Sequence, residues 1–60
     1  MLGTIATPTD LQVNERVRHS RDPDLIGTVT EVEENRLSVM VLWDGDDIPS
    51  FQWSNKVERQ

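Results

Sequence analysis

The most regular alternation of apolar positions in the chain lies in the segment 37–43, LSVMVLW. Its odd-numbered positions are all apolar and follow the two-residue period of a β-strand; they are Leu37, Val39, Val41 and Trp43. The even positions Met40 and Leu42 are apolar too, so the opposite face of the same strand is also hydrophobic. We predict a strand whose odd face enters the core and whose even face is an apolar surface.

Weaker patterns predict four more strands, at 11–19, 26–33, 48–53 and 57–59. In the first of them apolar and charged residues alternate, so Arg16 and Arg18 should face outward. The second breaks strict alternation, which indicates a bent or bulged strand in which Gly27 permits a close backbone approach. Pro49 lacks an amide hydrogen and therefore predicts an edge or a bulge. Residues 54–56 fit one helical or 3₁₀ turn.

Turn-forming residues separate these strands. Asp44–Asp47 contains an Asp-Gly pair and predicts a tight hairpin. In the turn 34–36, Asn35 is the residue that best tolerates a left-handed conformation. Residues 20–25 are expected to form a loop around Pro23, because proline restricts both itself and its predecessor.

Together these elements predict an all-β fold, a five-stranded, strongly bent barrel over 11–60. Closing a sheet on itself removes exposed edges and lets few residues share one core. Residues 1–10 are expected to form a short N-terminal tail or strap, in which Leu2 and Ile5 could cover apolar surface. The expected core consists of Val13, Val17, Ile26, Val29, Val32, Leu37, Val39, Val41, Ile48 and Val57.

Length and composition narrow the function. Sixty residues suffice for one small domain with a thin core, which disfavours a buried catalytic cleft. The chain has no cysteine, its single histidine is His19, and it contains no glycine-rich loop that could hold a phosphate. We therefore predict a non-enzyme without cofactor or metal. It has neither an apolar run long enough for a membrane span nor a secretory signal, so a cytoplasmic protein without membrane insertion is expected.

Several short motifs occur in an order typical of one fold family. They are VNERV at 13–17, Gly27-Thr28-Val29 with Val32 three residues later, VMVLWD at 39–44, and Val57-Glu58. With this order and spacing, the chain resembles the SH3-like small β-barrel of the KOW/Tudor-like type over about residues 11–59. The resemblance implies a binding or accessory role, since such barrels serve ribosomal proteins, transcription factors, chromatin readers and small subunits of photosynthetic complexes. Asn14-Glu15 replaces the usual Gly-Asp pair, and the absence of tyrosine disfavours a groove for proline-rich peptides.

The aromatic residues Trp43, Phe51 and Trp53 lie on two strands that the acidic hairpin joins. Either Trp43 and one of the other two complete the core, as large aromatic residues usually do in small domains, or the residues form a general protein-binding patch. The Tudor-like resemblance implies a third role, a cage that holds a methylated cation by cation–π attraction. Phe51 and Trp53 alternate with polar residues and should share one side of their strand. Met40 and Leu42 are expected to contact a partner, unless the N-terminal strap covers them.

The charge of the chain distinguishes between the candidate partners. The sequence has six basic and eleven acidic residues, and the resulting net charge of -5 disfavours binding to phosphate backbones. The acidic rim is expected at Glu31, Glu33, Glu34, Asp44, Asp46 and Asp47, and it would attract a basic protein. The local basic cluster consists of Arg16, Arg18 and Arg21, beside His19.

Three functions remain open. The favoured one is an interaction module, or an accessory subunit of a larger complex, that binds a protein through Met40, Leu42, Trp43, Asp44, Asp46, Asp47, Phe51 and Trp53. The alternative is a KOW-like module that contacts nucleic acid through Arg16, Arg18 and Arg21. A weaker alternative, implied by the resemblance, is a small subunit of a photosynthetic electron-transfer complex.

Overall fold

The computed structural model describes residues 8–60, which form a five-stranded antiparallel sheet. Its elements are β1 (Arg16–His19), β2 (Asp22–Val32), β3 (Ser38–Trp43), β4 (Ser50–Trp53), a 3₁₀ turn (Ser54–Lys56) and β5 (Val57–Arg59). The strands lie in the order β4-β3-β2-β1-β5 and curl strongly into a half-barrel. This confirms the predicted all-β, five-stranded, strongly bent fold. Leu2 and Ile5 of the predicted strap lie outside the described residues.

The two faces of β3 are divided as the alternation predicts. Val39 and Val41 are completely buried, whereas Met40 and Leu42 are half-buried on the other side of the strand. The concave inner face of the sheet therefore holds the core, and the convex outer face carries the second apolar set.

The core differs in part from the expected one. Its buried apolar members are Leu11, Val17, Val29, Val39, Val41, Trp43 and Val57, with Leu25 and Val32 packed against them. The prediction was wrong for Val13 and Ile48, which are 50% and 75% exposed because both lie in turns rather than in strands. Ile26 is half-buried because it pairs with Arg18 on the outer face. Leu37, at the end of the β2–β3 turn, is also only half-buried.

The first strand is shorter than predicted, since β1 starts at Arg16 and residues 11–15 form a turn. The Glu15 N–H donates to the Gln12 carbonyl, and Asn14 takes a positive φ of 77°. Asparagine tolerates this conformation better than most residues, so the chain reverses here. The turn places Leu11 over the core and leaves Val13 outside.

The predicted loop at 20–25 was wrong, because β2 already begins at Asp22. His19 pairs with Asp22 and Arg18 pairs with Ile26, so the register shifts between these two pairs. Pro23 lies within the irregular stretch, where the ladder does not require its missing N–H.

The broken alternation of the second strand is explained by a bulge, as predicted. The register of β2 against β3 shifts between Val29 and Glu31, which leaves Thr30 as an extra residue. This extra residue shifts the alternation of side chains by one position, so Val29 and Val32, three positions apart, both pack in the core. Gly27 provides the close approach: a Cβ there would lie 2.7 Å from the Leu42 carbonyl oxygen.

The β2–β3 turn takes its left-handed residue at Arg36, with φ 61°, and not at Asn35 as predicted. The Asn35 side chain instead accepts a hydrogen bond from the Leu37 N–H, 2.9 Å away. The Arg36 guanidinium donates to the carbonyl oxygens of Thr9 (2.7 Å) and Leu11 (2.6 Å), and the Thr9 N–H donates to the Arg36 carbonyl. Arg36 thus holds the segment that brings Leu11 onto the core.

The β3–β4 connection contains the predicted turn, with Gly45 at φ 93°. The strand that follows is shorter than expected, because β4 begins at Ser50 and Ile48 and Pro49 belong to the connection. Pro49 thus directly precedes a strand at the end of the sheet, in agreement with the edge position that its missing N–H predicts.

We expect Gly27→Ala to lower the free energy of unfolding by about 1–3 kcal/mol, the usual cost of overpacking. The added methyl group would meet the Leu42 carbonyl oxygen, a Val41 methyl carbon at 2.7 Å and the Trp43 ring at 2.8 Å. Urea unfolding followed by tryptophan fluorescence measures the change. Gly45→Asn measures backbone strain alone, because nothing lies within 4 Å of a Cβ there but the φ of 93° is one that side chains rarely adopt. A Gly27→Ala variant as stable as the unmodified chain would contradict the close approach.

We expect Arg36→Asn to lower the free energy of unfolding by about 1.5–3 kcal/mol, the range for hydrogen bonds from a charged group. Asparagine tolerates the positive φ, so the loss reports the bonds to Thr9 and Leu11 rather than backbone strain. Arg21→Asn is the control, because Arg21 is exposed and forms no ion pair within residues 8–60. An Arg36 variant as stable as this control would show that the hydrogen bonds from Arg36 contribute nothing to the free energy of unfolding.

Candidate functional site

The outer face of β3 and β4 carries a continuous apolar surface, which we call the outer patch: Met40, Leu42, Phe51 and Trp53. Met40 pairs with Phe51, and Ser38 pairs with Trp53, so these side chains share one side of the sheet. The expectation that Phe51 and Trp53 lie on the same side of their strand is therefore confirmed. Leu42 extends the patch towards β2, where it pairs with Thr28.

Phe51 and Trp53 are the exposed part of the outer patch. Phe51 is 50% and Trp53 is 53% exposed. Their ring centroids lie 4.9 Å apart and the ring planes meet at 87°, an edge-to-face arrangement that aromatic pairs favour. The two rings thus form a preorganised aromatic surface beside the half-buried Met40.

Trp43 does not belong to this surface, which corrects its assignment to the protein-binding set. It is 5% exposed on the inner face, opposite Gly27. Its nearest aromatic neighbour is His19, at a centroid distance of 6.0 Å. Side chains alternate between the two faces of β3, so Trp43 lies on the face opposite to Met40 and Leu42. The three aromatic side chains therefore do not meet at one rim. The interpretation of Trp43 as a core residue is confirmed.

Carboxylates border the outer patch on two sides. Glu31 is exposed and pairs with Met40, which in turn pairs with Phe51, so a carboxylate, a thioether and an aromatic ring lie in one row across three strands. Asp46 and Asp47 are exposed in the β3–β4 connection. None of these three carboxylates forms an ion pair within residues 8–60. They remain available to a cationic group from outside.

Asp44, by contrast, is engaged within the chain. Its carboxylate receives two hydrogen bonds from the Arg16 guanidinium, at 2.9 and 2.6 Å, and Arg16 also donates to the Thr28 hydroxyl. The hydrogen bonds from Arg16 lower the pKa of Asp44 below its ordinary value, and the pKa of Arg16 is raised by the same contact. Asp44 is thus neutralised by Arg16 and does not add to the free acidic charge.

The predicted basic cluster is also largely engaged. The Arg18 guanidinium lies 3.1 Å from a Glu58 carboxylate oxygen. Arg59, which the sequence did not single out, pairs with Glu15 and with Asp10. Arg21 is exposed and has no ion-pair partner among the described residues. Arg16 and Arg18 therefore offer little uncompensated positive charge to a nucleic acid.

The described residues contain no cluster of three or more His, Asp or Glu side chains that could hold a metal ion. Over the same range, 8–60, no helix is long and apolar enough to cross a membrane.

Comparisons with known proteins identify no relative of this chain: no protein-family model matches it, and no similar protein or solved structure is found. The resemblance to the SH3-like barrel of the KOW/Tudor-like type therefore depends on the sequence motifs alone and stays a prediction.

We expect acidification to destabilise the fold through Glu15 as well as Asp44. Hydrogen bonds from Arg59 and from the Gln12 N–H lower the pKa of Glu15. A carboxyl group whose pKa is lower when folded stabilises the fold above its unfolded pKa, and this contribution disappears as the pH falls through the folded pKa. The free energy of unfolding should therefore fall below about pH 4.5, where unfolded carboxylates take up protons.

Urea unfolding at a series of pH values measures this effect. Glu15→Gln combined with Asp44→Asn should flatten the decline, whereas the control Glu34→Gln should leave it as in the unmodified chain, because Glu34 forms no ion pair within 8–60. High salt should weaken the decline too, since these pairs are solvent-exposed. Identical slopes in the double variant and in the unmodified chain would contradict the assignment.

Proposed function

We propose that the protein is a non-enzymatic interaction module that binds a basic protein surface through the outer patch. The observation that carries this proposal is the exposed edge-to-face pair Phe51–Trp53, beside Met40 and the Glu31 carboxylate, which forms no ion pair within residues 8–60. Aromatic side chains that are half exposed and preorganised resemble the anchors that dominate binding energy at protein interfaces.

The charge distribution supports a basic partner. Of the six cationic side chains, Arg16, Arg18 and Arg59 are ion-paired and Arg36 binds backbone carbonyls. Seven carboxylates have no ion-pair partner within residues 8–60: Asp22, Asp24, Glu31, Glu33, Glu34, Asp46 and Asp47. The uncompensated charge is thus acidic, and it favours the approach of a positively charged partner.

The same pairing disfavours the nucleic-acid alternative. A phosphate backbone would have to compete with Asp44 for Arg16 and with Glu58 for Arg18. Within the predicted basic cluster only Arg21 has no ion-pair partner among residues 8–60, whereas binding to a phosphate backbone draws on several cations. A KOW-like role therefore remains the second candidate, and it depends on the sequence resemblance.

A selection from a displayed library of short random peptides tests the proposal. The selected peptides should be rich in Lys and Arg, and they should shift the NMR signals of Met40, Phe51 and Trp53. Phe51→Ser combined with Trp53→Ser should weaken binding by at least about tenfold, as expected for interface anchors. Val13→Ser is the matched control, because Val13 is equally exposed but lies in the turn before β1.

Two outcomes would overturn the proposal. Selected peptides that bind equally well to the double serine variant use another surface. Binding of DNA or RNA oligonucleotides at moderate salt, abolished by Arg16→Ala plus Arg18→Ala, in the absence of peptide binding, would establish the alternative.

A further inference from the structure

The edge of β4 is a second feature of the same surface. Within residues 8–60, β4 pairs only with β3 and ends the sheet. A terminal strand carries a row of peptide groups that a further strand can use. The form of partner that this edge can accept is an inference that rests on the proposed function.

The pairing pattern identifies the peptide groups that face away from β3. The Ser54 N–H donates to the Leu37 carbonyl, so in this pair of positions the peptide groups face each other. In an antiparallel ladder such pairs alternate with positions whose peptide groups point away from the partner strand. Counting along the register, Gln52 and Ser50 bond to β3, whereas the N–H and C=O groups of Phe51 and the N–H of Trp53 point towards the open edge. The Trp53 carbonyl belongs to the 3₁₀ turn that follows, because Trp53 is the N-cap of that turn. The residues that expose the aromatic rings thus also expose the pairing groups.

The β4 edge lacks most features that prevent strand addition. Its sequence, SFQW, contains no charged residue and no proline, and its pairing with β3 shows no bulge. Only its shortness and the preceding Pro49 limit it. At the other end of the sheet, β5 carries Glu58 and Arg59, both engaged in ion pairs. The two terminal strands therefore differ, and β4 is the one suited to receive a strand.

We propose that the partner contributes an extended basic segment, which adds to β4 as a sixth, antiparallel strand. Its residue opposite Phe51 exchanges both backbone hydrogen bonds with it, and its residue opposite Trp53 accepts a hydrogen bond from the Trp53 N–H. The side chains of both residues project onto the outer face. Lys or Arg at these alternating positions lies beside the two aromatic rings, where cation–π attraction adds to the backbone hydrogen bonds. The uncompensated carboxylates, including Glu31, select against an acidic segment.

The probe is a short capped peptide in which lysine alternates with threonine. In the proposed register the lysine amides point towards β4 and the threonine amides point to solvent. N-methylation of two central lysine amides removes the donors and introduces a steric clash, whereas N-methylation of two central threonine amides does neither. Both modified peptides keep the same charge, so nonspecific attraction to an acidic protein affects them equally.

We expect the lysine-methylated peptide to bind at least about tenfold more weakly than the unmodified one, and the threonine-methylated peptide to bind within about twofold of it. Dissociation constants come from NMR titration at low salt. The unmodified peptide should also slow hydrogen exchange at the Phe51 and Trp53 amides. Phe51→Ser combined with Trp53→Ser should lower affinity, whereas Val13→Ser should not.

Each contrary result has a distinct meaning. Equal affinity of both methylated peptides, with loss of binding in the double serine variant, overturns strand addition but leaves the proposed function standing. A greater effect of threonine methylation overturns the antiparallel register. A probe that shifts neither Phe51 nor Trp53 overturns strand addition, and the peptide selection described above then decides separately whether the outer patch binds basic peptides.

Two other occupants of the edge are tested with the free protein. Slow exchange of the Phe51 and Trp53 amides without peptide, independent of protein concentration, would indicate that residues 1–7 already fill the edge. Slow exchange that depends on concentration would indicate a second copy of the chain. Either result overturns an open edge that receives a basic segment, whereas fast exchange at both amides supports it.

Discussion

The close approach of β2 and β3 at Gly27 is the constraint on which the rest of the structure depends. Gly27 lies between Val17 of β1 and Trp43 of β3 on the inner face, and no Cβ separates it from the Trp43 ring. Together with the bulge at Thr30, this contact lets one small sheet curl around its own core. A flat sheet of this length would leave its apolar face open to water, because residues 8–60 contain no second layer to cover it.

The curl also explains which parts of the fold the sequence could predict. Alternation within β3 is a local property, so the two faces of that strand followed directly from its residue types. Strand ends and the core status of single residues depend on partners distant in sequence. Val13 has an apolar side chain in an apparent strand, yet it is exposed because the turn at Asn14 reverses the chain. Pro23 indicated a loop, but a register shift accommodates it inside β2.

The candidate site was predictable to a similar extent. The spacing of Phe51 and Trp53 placed them on one side of β4, but the choice of side depends on the β3–β4 register, which the length of the connection determines. The contact between Arg16 and Asp44 links positions 28 residues apart, and no local pattern reveals it. Proximity in sequence therefore suggested a basic face and an acidic face, whereas the folded chain brings opposite charges together and leaves mainly carboxylates unpaired.

Two independent features favour a basic partner at the edge of β4: the distribution of ion pairs and the alternation of side chains along the strand. Ion pairs consume cations along β1 and β5, so the negative charge that remains lies mostly in the turns and on β2. The alternation along β4 places the two rings at one edge of the sheet, together with the Phe51 N–H and C=O and the Trp53 N–H, which have no partner strand within residues 8–60. A second copy of the chain would bring its own excess of carboxylates to that edge, and like charges would oppose its approach. A positively charged extended segment, by contrast, is attracted by these carboxylates. At the same edge it can contact the aromatic rings and form hydrogen bonds with the backbone of β4.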